Sequence, residues 1–502
     1  MPTTTNYKLI SQKQILSGSL TGDSQWDFAS SIAINSLTKN FVCSSPKQEN
    51  PGSPANQNNG VVYVFVTNSL GGTGLDNTGS YTEWQFLTYS GVKTDSSIVG
   101  SHTFFSSCSN SIYATLSSSP NAVLVYTRSF MDNKYWHEHQ IVTGSHSLSF
   151  NQFPLHFSIS PDGLDSYMII SAPGFDDTSN IPYMFVYGNS GNNYTWNQEQ
   201  VLTNSVNRSG WGASCCINKN YLIVGGSPYE TVSGKAKQGV VYVHRPINNP
   251  TLKHYQCDTI QSSDGLSGDG LGIQVYIDDN GFIAAGAENH KVGANDGQGA
   301  VYIFSQSSNF QWTQYQKLTA SDGAANDKFG GNLIYQKPTP QGIKIFNDPK
   351  KTILITSCRQ TSGKFYIFTQ SGDYWHQHQV VTASQANNYL SVADGVINGI
   401  GTDFIAAGGV NNQVDGGGYL YDNLYESFYV PPVFAPPIVC GTQTIGSDFT
   451  INNLICLPTQ HRKALYDESI KYEERVVTAP LFLNSPMISL RMRNLSTSSS
   501  LG

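Results

Sequence analysis

The stretch Gly299–Gly331 reads GAVYIFSQSSNFQWTQYQKLTASDGAANDKFGG and contains every element of a unit that recurs along the chain. An apolar, β-branched run at its start is followed by a polar turn, by a second run that begins at Trp312, and by an acidic, glycine-rich loop. Short apolar runs bounded by turn residues are typical of β-strands. The stretch therefore predicts antiparallel strands joined by tight loops.

The tryptophan of this unit gives an anchor position from which the repeat can be counted. Trp312 is followed four residues later by Gln316 and six residues later by Leu318, and related triplets recur at intervals of roughly 50 to 75 residues. Four strand-like runs in a period of this size are typical of a β-propeller blade. The other copies, three of them degenerate, are Ile10/Gln14/Leu16, Trp84/Thr88, Trp136/Gln140/Val142, Trp196/Gln200/Leu202, His254/Asp258/Ile260 and Trp375/Gln379/Val381.

The repeat predicts an all-β fold, a seven-bladed β-propeller of four-stranded blades, over residues 1–429. In each unit the third run is apolar throughout, as in Phe282–Ala287, so we expect it to be innermost and buried on both faces. Tyr7–Leu16 opens the first unit and Gly417–Tyr421 ends the seventh. Each blade is therefore expected to be complete in itself, with the ring closed by packing between blades.

This pattern resembles the phenylalanine-glycine, glycine-alanine-proline (FG-GAP) repeat of the integrin alpha-chain β-propeller. The resemblance covers roughly Ile10 to Tyr421 and is carried best by three segments. It implies a propeller fold, a surface that binds a ligand, and calcium in some blades. The three segments are Trp211–His244, Leu271–Phe304 and Phe329–Phe368.

The calcium loops that the resemblance implies match two places in this sequence. They read Asp264-Gly-Leu-Ser-Gly-Asp269 and Asp322-Gly-Ala-Ala-Asn-Asp327, with two carboxylates each instead of the alternating three of Asp-x-Asp-x-Asp-Gly. Calcium needs several converging oxygen ligands. The alternative, which we favour, is a turn in which aspartate accepts hydrogen bonds from its own loop. No other cofactor is predicted.

The sequence changes character after the last repeat. Residues 430–440 form a proline-rich, extended linker, and residues 441–502 form a tail with one predicted helix, Arg462–Val477. Too short to bury a core easily, this tail is expected to be an anchoring or docking arm. Cys440 and Cys456 within it are the best candidates for a disulfide, and the other six cysteines are expected to be reduced.

The composition restricts the partners. Charged residues make up 13% of the chain and aromatic residues 12%, with a net charge of −7. Such a chain folds, but it lacks the clustered cations that a nucleic-acid surface needs. No run approaches the ~20 apolar residues of a membrane-spanning helix. The first residues lack the features of a secretory signal.

No catalytic motif is recognisable, so the sequence predicts that the chain is not an enzyme. Two histidine pairs, His137/His139 and His376/His378, have the i, i+2 spacing that could bind a metal from one strand face. Other repeats carry unrelated residues at these positions, which favours an exposed strand face instead.

These observations predict a structural or interaction protein. We expect a rigid propeller on the surface of an assembled particle, such as a minor capsid or spike component of a large virus, with protein partners contacted through the C-terminal arm. The alternative is an adhesion module at an extracellular surface that binds a protein or glycan through loops such as Asn289–Gly297. A glycan-processing propeller is a third hypothesis, which requires acidic residues that converge in the central funnel.

Overall fold

The computed structural model describes the strands and the loops near them, and it describes the central part of the chain most fully. The described residues are 9, 12–19, 28–35, 40–46, 48, 60–66, 80–91, 98–106, 111–117, 121–128, 135–145, 156–160, 166–173, 182–189, 195–204, 210–248, 252–307, 311–331, 343–348, 351–358, 364–371, 374–382, 389–392, 404–410, 417–422, 438–439, 443–445, 449–451 and 455–456. The helix predicted over 462–477 lies outside these residues.

The described residues form strands throughout, as the alternating sequence pattern predicts, and contain no helix that could cross a membrane. In chain order the strands are β1 Gln12–Leu16, β2 Ile32–Ile34, β3 Phe41–Ser45, β4 Val61–Val66, β5 Thr82–Leu87, β6 Ile98–Phe105, β7 Ile112–Ser117, β8 Ala122–Arg128, β9 Trp136–Val142, β10 His156–Ile159, β11 Tyr167–Ala172, β12 Tyr183–Asn189, β13 Trp196–Thr203, β14 Cys215–Ile217, β15 Ile223–Ser227, β16 Val240–Asn248, β17 Leu252–Ile260, β18 Val275–Ile277, β19 Phe282–Ala287, β20 Ala300–Gln306, β21 Trp312–Leu318, β22 Ile343–Asp348, β23 Lys351–Cys358, β24 Lys364–Ser371, β25 Tyr374–Thr382, β26 Tyr389–Val392, β27 Phe404–Val410, β28 Gly417–Asp422, β29 Ile438–Val439, β30 Gln443–Ile445, β31 Phe449–Ile451 and β32 Ile455–Cys456.

The chain divides into two compact units, Met1–Glu426 and Ser427–Gly502. In the first unit, six antiparallel four-stranded sheets are each built from consecutive strands, β2–β5 through β22–β25. A further four-stranded sheet has the order β1-β28-β27-β26. In the second unit, β29 pairs with β32 and β30 with β31.

The prediction of seven blades that are each complete in themselves is therefore wrong. Six blades are continuous in sequence, whereas the strand nearest the N-terminus pairs with β28, with Gln12 opposite Tyr421 and Leu16 opposite Gly418. The reason is an offset of one strand. The strand that begins at each anchor position is the last of a blade and not the first of the next, so β1 completes the sheet formed by the last three strands of the propeller.

The predicted position of the apolar third run is also corrected. In the blade β18–β21 this run is β19, which is second in the sheet, and the short strand β18 is first. β18 packs against the first strands β14 and β22 of its neighbours, as expected of the strand nearest the ring axis. β19 is apolar because both its edges are paired and both its faces are covered by neighbouring sheets. The last strand of the blade, β21, is buried only at its two ends and has exposed or half-buried residues between them.

The apolar core lies between neighbouring sheets, so each blade contributes both its faces. Val62 and Val64 of β4 pack in one cluster with Leu116 of β7 and Leu124 of β8. Gly226 marks how closely two blades approach, because a side-chain carbon at this position would collide with the backbone carbonyl of Gly272 in the next blade. Cys43, Cys215, Cys216 and Cys358 are buried and form no disulfide, as expected for small apolar side chains.

Candidate functional site

Three loops form one end of the blade β18–β21, and together we call them the loop face. They are the connection 261–274 that enters the blade, the hairpin loop 288–299 within it, and the connection 319–331 that leaves it. Since neighbouring strands are antiparallel, these three loops come together at the same end of the sheet. Two of the four sequence-predicted aspartates lie in the first loop and two in the third.

The two connections have the same conformation. Gly268 and Gly270 have positive φ angles in the first, and Asn326 and Lys328 have positive φ angles at the equivalent positions of the third. Asp269 Oδ2 accepts a hydrogen bond from the backbone N–H of Leu266 at 2.7 Å, and Asp327 Oδ2 accepts one from Ala324 at 2.6 Å. Asp269 and Asp327 therefore close their own loops, which is the turn role that the sequence favoured.

Asp264 belongs to a polar cluster that joins two blades. Its Oδ1 accepts a hydrogen bond from the Tyr302 hydroxyl at 2.8 Å, and its Oδ2 accepts one from Lys317 Nζ at 2.5 Å. Partial burial alone would raise the pKa of Asp264, but these hydrogen bonds outweigh it and hold the pKa below its usual value. Burial raises the pKa of Tyr302, and its bond to the carboxylate raises it further.

His290 connects this cluster to the loop-closing aspartate. Its Nδ1 lies 2.8 Å from Asp269 Oδ2, and its Nε2 lies 3.8 Å from Asp264 Oδ2. The side chains of His290 and Asp269 are each only 3% exposed, whereas that of Asp264 is 44% exposed. The hairpin loop is thereby bound to the connection that precedes it through a buried histidine–aspartate pair.

Asp322 repeats this arrangement in the next blade without a histidine. Its Oδ1 accepts a hydrogen bond from the Tyr366 hydroxyl at 3.0 Å, and its Oδ2 accepts one from Lys364 Nζ at 2.7 Å. Burial would raise the pKa of Asp322, but the two donors lower it below its usual value. The hydrogen bond to Asp322 is also the main reason that the pKa of Lys364 is raised.

These contacts bear on the predicted calcium sites. Asp264 and Asp322 each face a lysine ammonium, and Asp269 and Asp327 face backbone N–H groups. Within the described part of the chain, no three His, Cys, Asp or Glu side chains are arranged to hold a metal ion. The residues present therefore do not fit the several free oxygens that calcium requires, and calcium binding at these aspartates stays an untested prediction.

The three loops also contact one another directly. Asn295 Nδ2 donates to the backbone carbonyl of Gly323 at 3.0 Å, and the backbone N–H of Asn326 donates to Asp296 at 2.9 Å. Lys328 Nζ is hydrogen-bonded to Asn289 Oδ1. At the tip of the hairpin loop an ion pair joins Lys291 to Asp296, whose side chains are 47% and 78% exposed. The loop face thus has a fixed base and an exposed, charged tip.

The anchor repeat itself has a structural role that sequence reasoning did not identify. Each bridging glutamine, defined as the glutamine four residues after an anchor position, hydrogen-bonds both backbone groups of the anchor residue in the next blade. Gln316 accepts from Trp375 N–H and donates to Trp375 C=O, both at 2.8 Å. The same pairs are Gln14–Tyr81, Gln85–Trp136, Gln140–Trp196 and Gln200–His254.

These pairs correct one copy of the repeat. The anchor in the blade β2–β5 is Tyr81, followed by Gln85 and Leu87, and not Trp84 with Thr88. The predicted histidine pairs also receive an explanation. His137 and His139 flank Glu138, which accepts hydrogen bonds from the backbone N–H and the hydroxyl of Ser90 in the preceding blade. His376 and His378 flank Gln377, which accepts from the backbone N–H of Ser321 and donates to its hydroxyl.

Comparison with known proteins gives one family match. Residues 312–333 match the FG-GAP repeat. They comprise β21, the loop with Asp322 and Asp327, and the Phe329-Gly330 pair. No curated protein matches the chain.

The chain is similar in structure to several solved structures at low identity. A candidate 6-phosphogluconolactonase from Bacteroides uniformis is 11% identical with a TM-score of 0.45, and the match covers 70% of this chain and 85% of that one. One from Bacteroides fragilis is 12% identical with a TM-score of 0.46, covering 71% and 85%. A chain of a mitotic checkpoint complex is 9% identical with a TM-score of 0.47, covering 84% and 94%.

The prediction that the chain is not an enzyme is corrected by these comparisons. Two of the similar structures are candidate 6-phosphogluconolactonases. At this identity and TM-score the likeness establishes no activity for this chain either.

The FG-GAP part of the predicted resemblance is confirmed, while similarity to integrins in particular stays a prediction. The matched repeat lies across the outer strand and the exit connection of a blade whose antiparallel sheet recurs around the ring. The chain is a β-propeller that contains an FG-GAP repeat at residues 312–333.

Proposed function

We propose that this chain is an interaction module, a rigid propeller carried on the surface of an assembled particle such as a virion and anchored there by residues 430–502. The loop face would then meet a partner protein. The observation that supports this proposal best is the loop face itself, in which three loops are hydrogen-bonded to one another and to the blade below.

A loop that is already ordered loses little conformational entropy when a partner binds. The hairpin loop 288–299 is fixed at its base by His290 and Asn295, and it exposes Lys291 and Asp296 at its tip. Loops on a rigid scaffold are also where binding residues are commonly found. The loop face therefore has the properties of a preformed polar interaction surface.

The alternative is an adhesion module at an extracellular surface. It uses the same loops, but its partner is a receptor protein or a glycan, and it does not need residues 430–502. The FG-GAP match favours this alternative only at the level of the fold, because one propeller scaffold supports many unrelated functions.

Removal of residues 430–502 separates the two functions. The truncated propeller is expected to fold but to be absent from purified particles, whereas the full chain is incorporated. A double variant of the loop tip, Lys291→Ala with Asp296→Ala, serves as the matched control, because it alters the loop face and leaves the arm intact. Normal incorporation of the truncated chain would contradict anchoring by the arm and would favour adhesion.

A further inference from the structure

The blade β14–β17 differs from its neighbours at both repeat positions of its last strand. Four other blades carry tryptophan at the anchor position, but β17 carries His254. Where four neighbouring strands have a bridging glutamine, β17 has Asp258. One blade of the ring thus has titratable side chains at two positions that are neutral elsewhere.

The replaced anchor is buried together with a second histidine. His254 is 4% exposed, and His244 on the adjacent strand β16 is 3% exposed. His254 Nε2 lies 2.9 Å from the backbone carbonyl of Tyr221, so this nitrogen carries the proton of a neutral ring. The Nδ1 atoms of both histidines are buried and have no hydrogen-bond partner among the described residues.

No carboxylate is hydrogen-bonded or ion-paired to either imidazole in the described part of the chain. His244 lies against the ring of Trp211 at a centroid distance of 5.6 Å. The titratable and charged groups on the elements packed around the pair are Arg245 on β16, Asp258 on β17, Glu199 on β13, Lys317 on β21, and Lys219 and Tyr221 in the turn after β14. Lys219 and Lys317 are cations, paired with Asp279 and Asp264, and the Asp258 carboxylate accepts from backbone N–H groups, so none of the three is paired with a histidine.

The contact that this blade makes with the next through the bridging position is weaker than the contact made by a glutamine. The carboxylate of Asp258 accepts one hydrogen bond within its own strand, from the backbone N–H of Thr259 at 2.7 Å, and one from the next blade, from the backbone N–H of Trp312 at 3.3 Å, and it cannot donate to the carbonyl of Trp312. The glutamine at the equivalent position in the following blade, Gln316, makes two bonds of 2.8 Å. The bridge at this position therefore has one hydrogen bond fewer than the bridge made by Gln316.

We propose that the blade β14–β17 is an acid-sensitive point of the propeller, at which protonation of the buried His244–His254 pair loosens β16 and β17 and opens the ring. Protonation would place two positive charges side by side in a site without a paired carboxylate, and it would give Nδ1 of His254 a proton with no acceptor. The unfolded or opened chain binds these protons freely, so acid favours the open state.

The direction of the pH effect follows from the lowered pKa values of the two histidines. Burial, together with a smaller contribution from the neighbouring His254, lowers the pKa of His244 to about 4. Burial also lowers the pKa of His254 to about 4, although its bond to the Tyr221 carbonyl opposes this. Protons therefore bind the open state below about pH 6.5 and the closed state only below about pH 4. The closed ring is expected to lose stability as the pH falls between these values.

Hydrogen exchange of the full chain, read by mass spectrometry peptide by peptide and corrected for intrinsic rates, tests the proposal. Between pH 6.5 and pH 4.5 we expect the equilibrium constant for opening, measured on peptides from β16 and β17, to rise by at least about tenfold per pH unit. The reason is that each histidine takes up one proton when the blade opens. Peptides from β8 and β9 should change much less. In the double variant His244→Gln, His254→Gln the difference between the two blades should vanish, while His137→Gln, on an exposed position of β9, should behave as the wild type.

A uniform response of all blades, or an undiminished response in the double variant, would overturn the proposal. If the double variant does not fold, the comparison of blades within the wild-type chain still decides. The single variant His254→Trp, which restores the residue of the four other blades, provides a second test. When the pH falls from 6.5 to 4.5, β17 of this variant should lose less of its protection against hydrogen exchange than β17 of the wild type does.

Discussion

The bridging glutamines predict a specific cost for opening the ring, which can be measured at Gln316. Its side-chain amide makes two hydrogen bonds of 2.8 Å to the backbone of Trp375, and all the atoms involved are partly buried. A hydrogen bond of this kind contributes about 0.5–1.5 kcal/mol net. Gln316→Ala removes both and leaves a backbone N–H and C=O without their partner. We therefore expect a loss of about 1–3 kcal/mol in the free energy of unfolding.

The assay is urea unfolding followed by tryptophan fluorescence and by far-UV circular dichroism, with coincidence of the two signals as the check for a single transition. Thr313→Ala is the matched control, because Thr313 is exposed on the same strand. It should change the free energy of unfolding by less than about 0.5 kcal/mol. A Gln316→Ala variant as stable as the control would refute the reasoning that these side chains hold neighbouring blades together.

Three further substitutions test other contacts. Asp258→Gln should restore the second bond to the next blade and raise the free energy of unfolding by about 0.5–1.5 kcal/mol at pH 7, in the same urea assay; a decrease would contradict it. Gly226→Ala should destabilise the chain by more than about 3 kcal/mol or prevent folding, because its side chain would meet the carbonyl of Gly272; soluble protein with an unchanged melting temperature would be the contrary result. Lys317→Met should raise the pKa of Asp264, measured by NMR titration of the carboxyl carbon, because it removes the ammonium that stabilises the charged form; an unchanged titration would show that the contact does not form.

The local strand pattern could be predicted from the sequence because each strand is a short, largely apolar or half-apolar run bounded by turn residues. β21 shows this clearly, with Trp312 and Leu318 buried at its two ends and exposed residues between them. The FG-GAP motif could also be found, because its phenylalanine and glycines must occupy positions that the backbone geometry dictates. Phe329 is fully buried, and the neighbouring Gly330 has a positive φ angle.

The assignment of strands to blades could not be predicted in the same way. A repeat has no beginning, so its period is unchanged whether Trp312 opens one blade or closes the one before it. The pairing of β1 with β28 joins residues about 400 positions apart, and nothing in either strand specifies its partner. Trp84 was predicted as an anchor in place of Tyr81 because the prediction relied on tryptophan. The hydrogen bonds use the backbone of the anchor residue and not its side chain, so Tyr81 can take this position.

Part of the candidate site could be predicted because the repeat places equivalent residues in equivalent loops. The sequence places Asp264 and Asp322 in equivalent loops, and the structure brings a lysine and a tyrosine from the following strands to each of them. The two aspartates are therefore equivalent, as the repeat implies. The buried contact between Asp269 and His290 joins loops 21 residues apart and has no sequence signal of its own.

The central proposal is a propeller that joins an assembly through its arm, and size-exclusion chromatography with light scattering tests it most directly. The full chain and a chain that ends at Tyr429 are compared, each alone and with extracts of the particle. The proposal predicts that the full chain forms oligomers or retains particle components while the shorter chain is a folded monomer. Two monomers of equal stability that retain nothing would contradict the anchoring function and would leave the loop face as the surface that binds a partner.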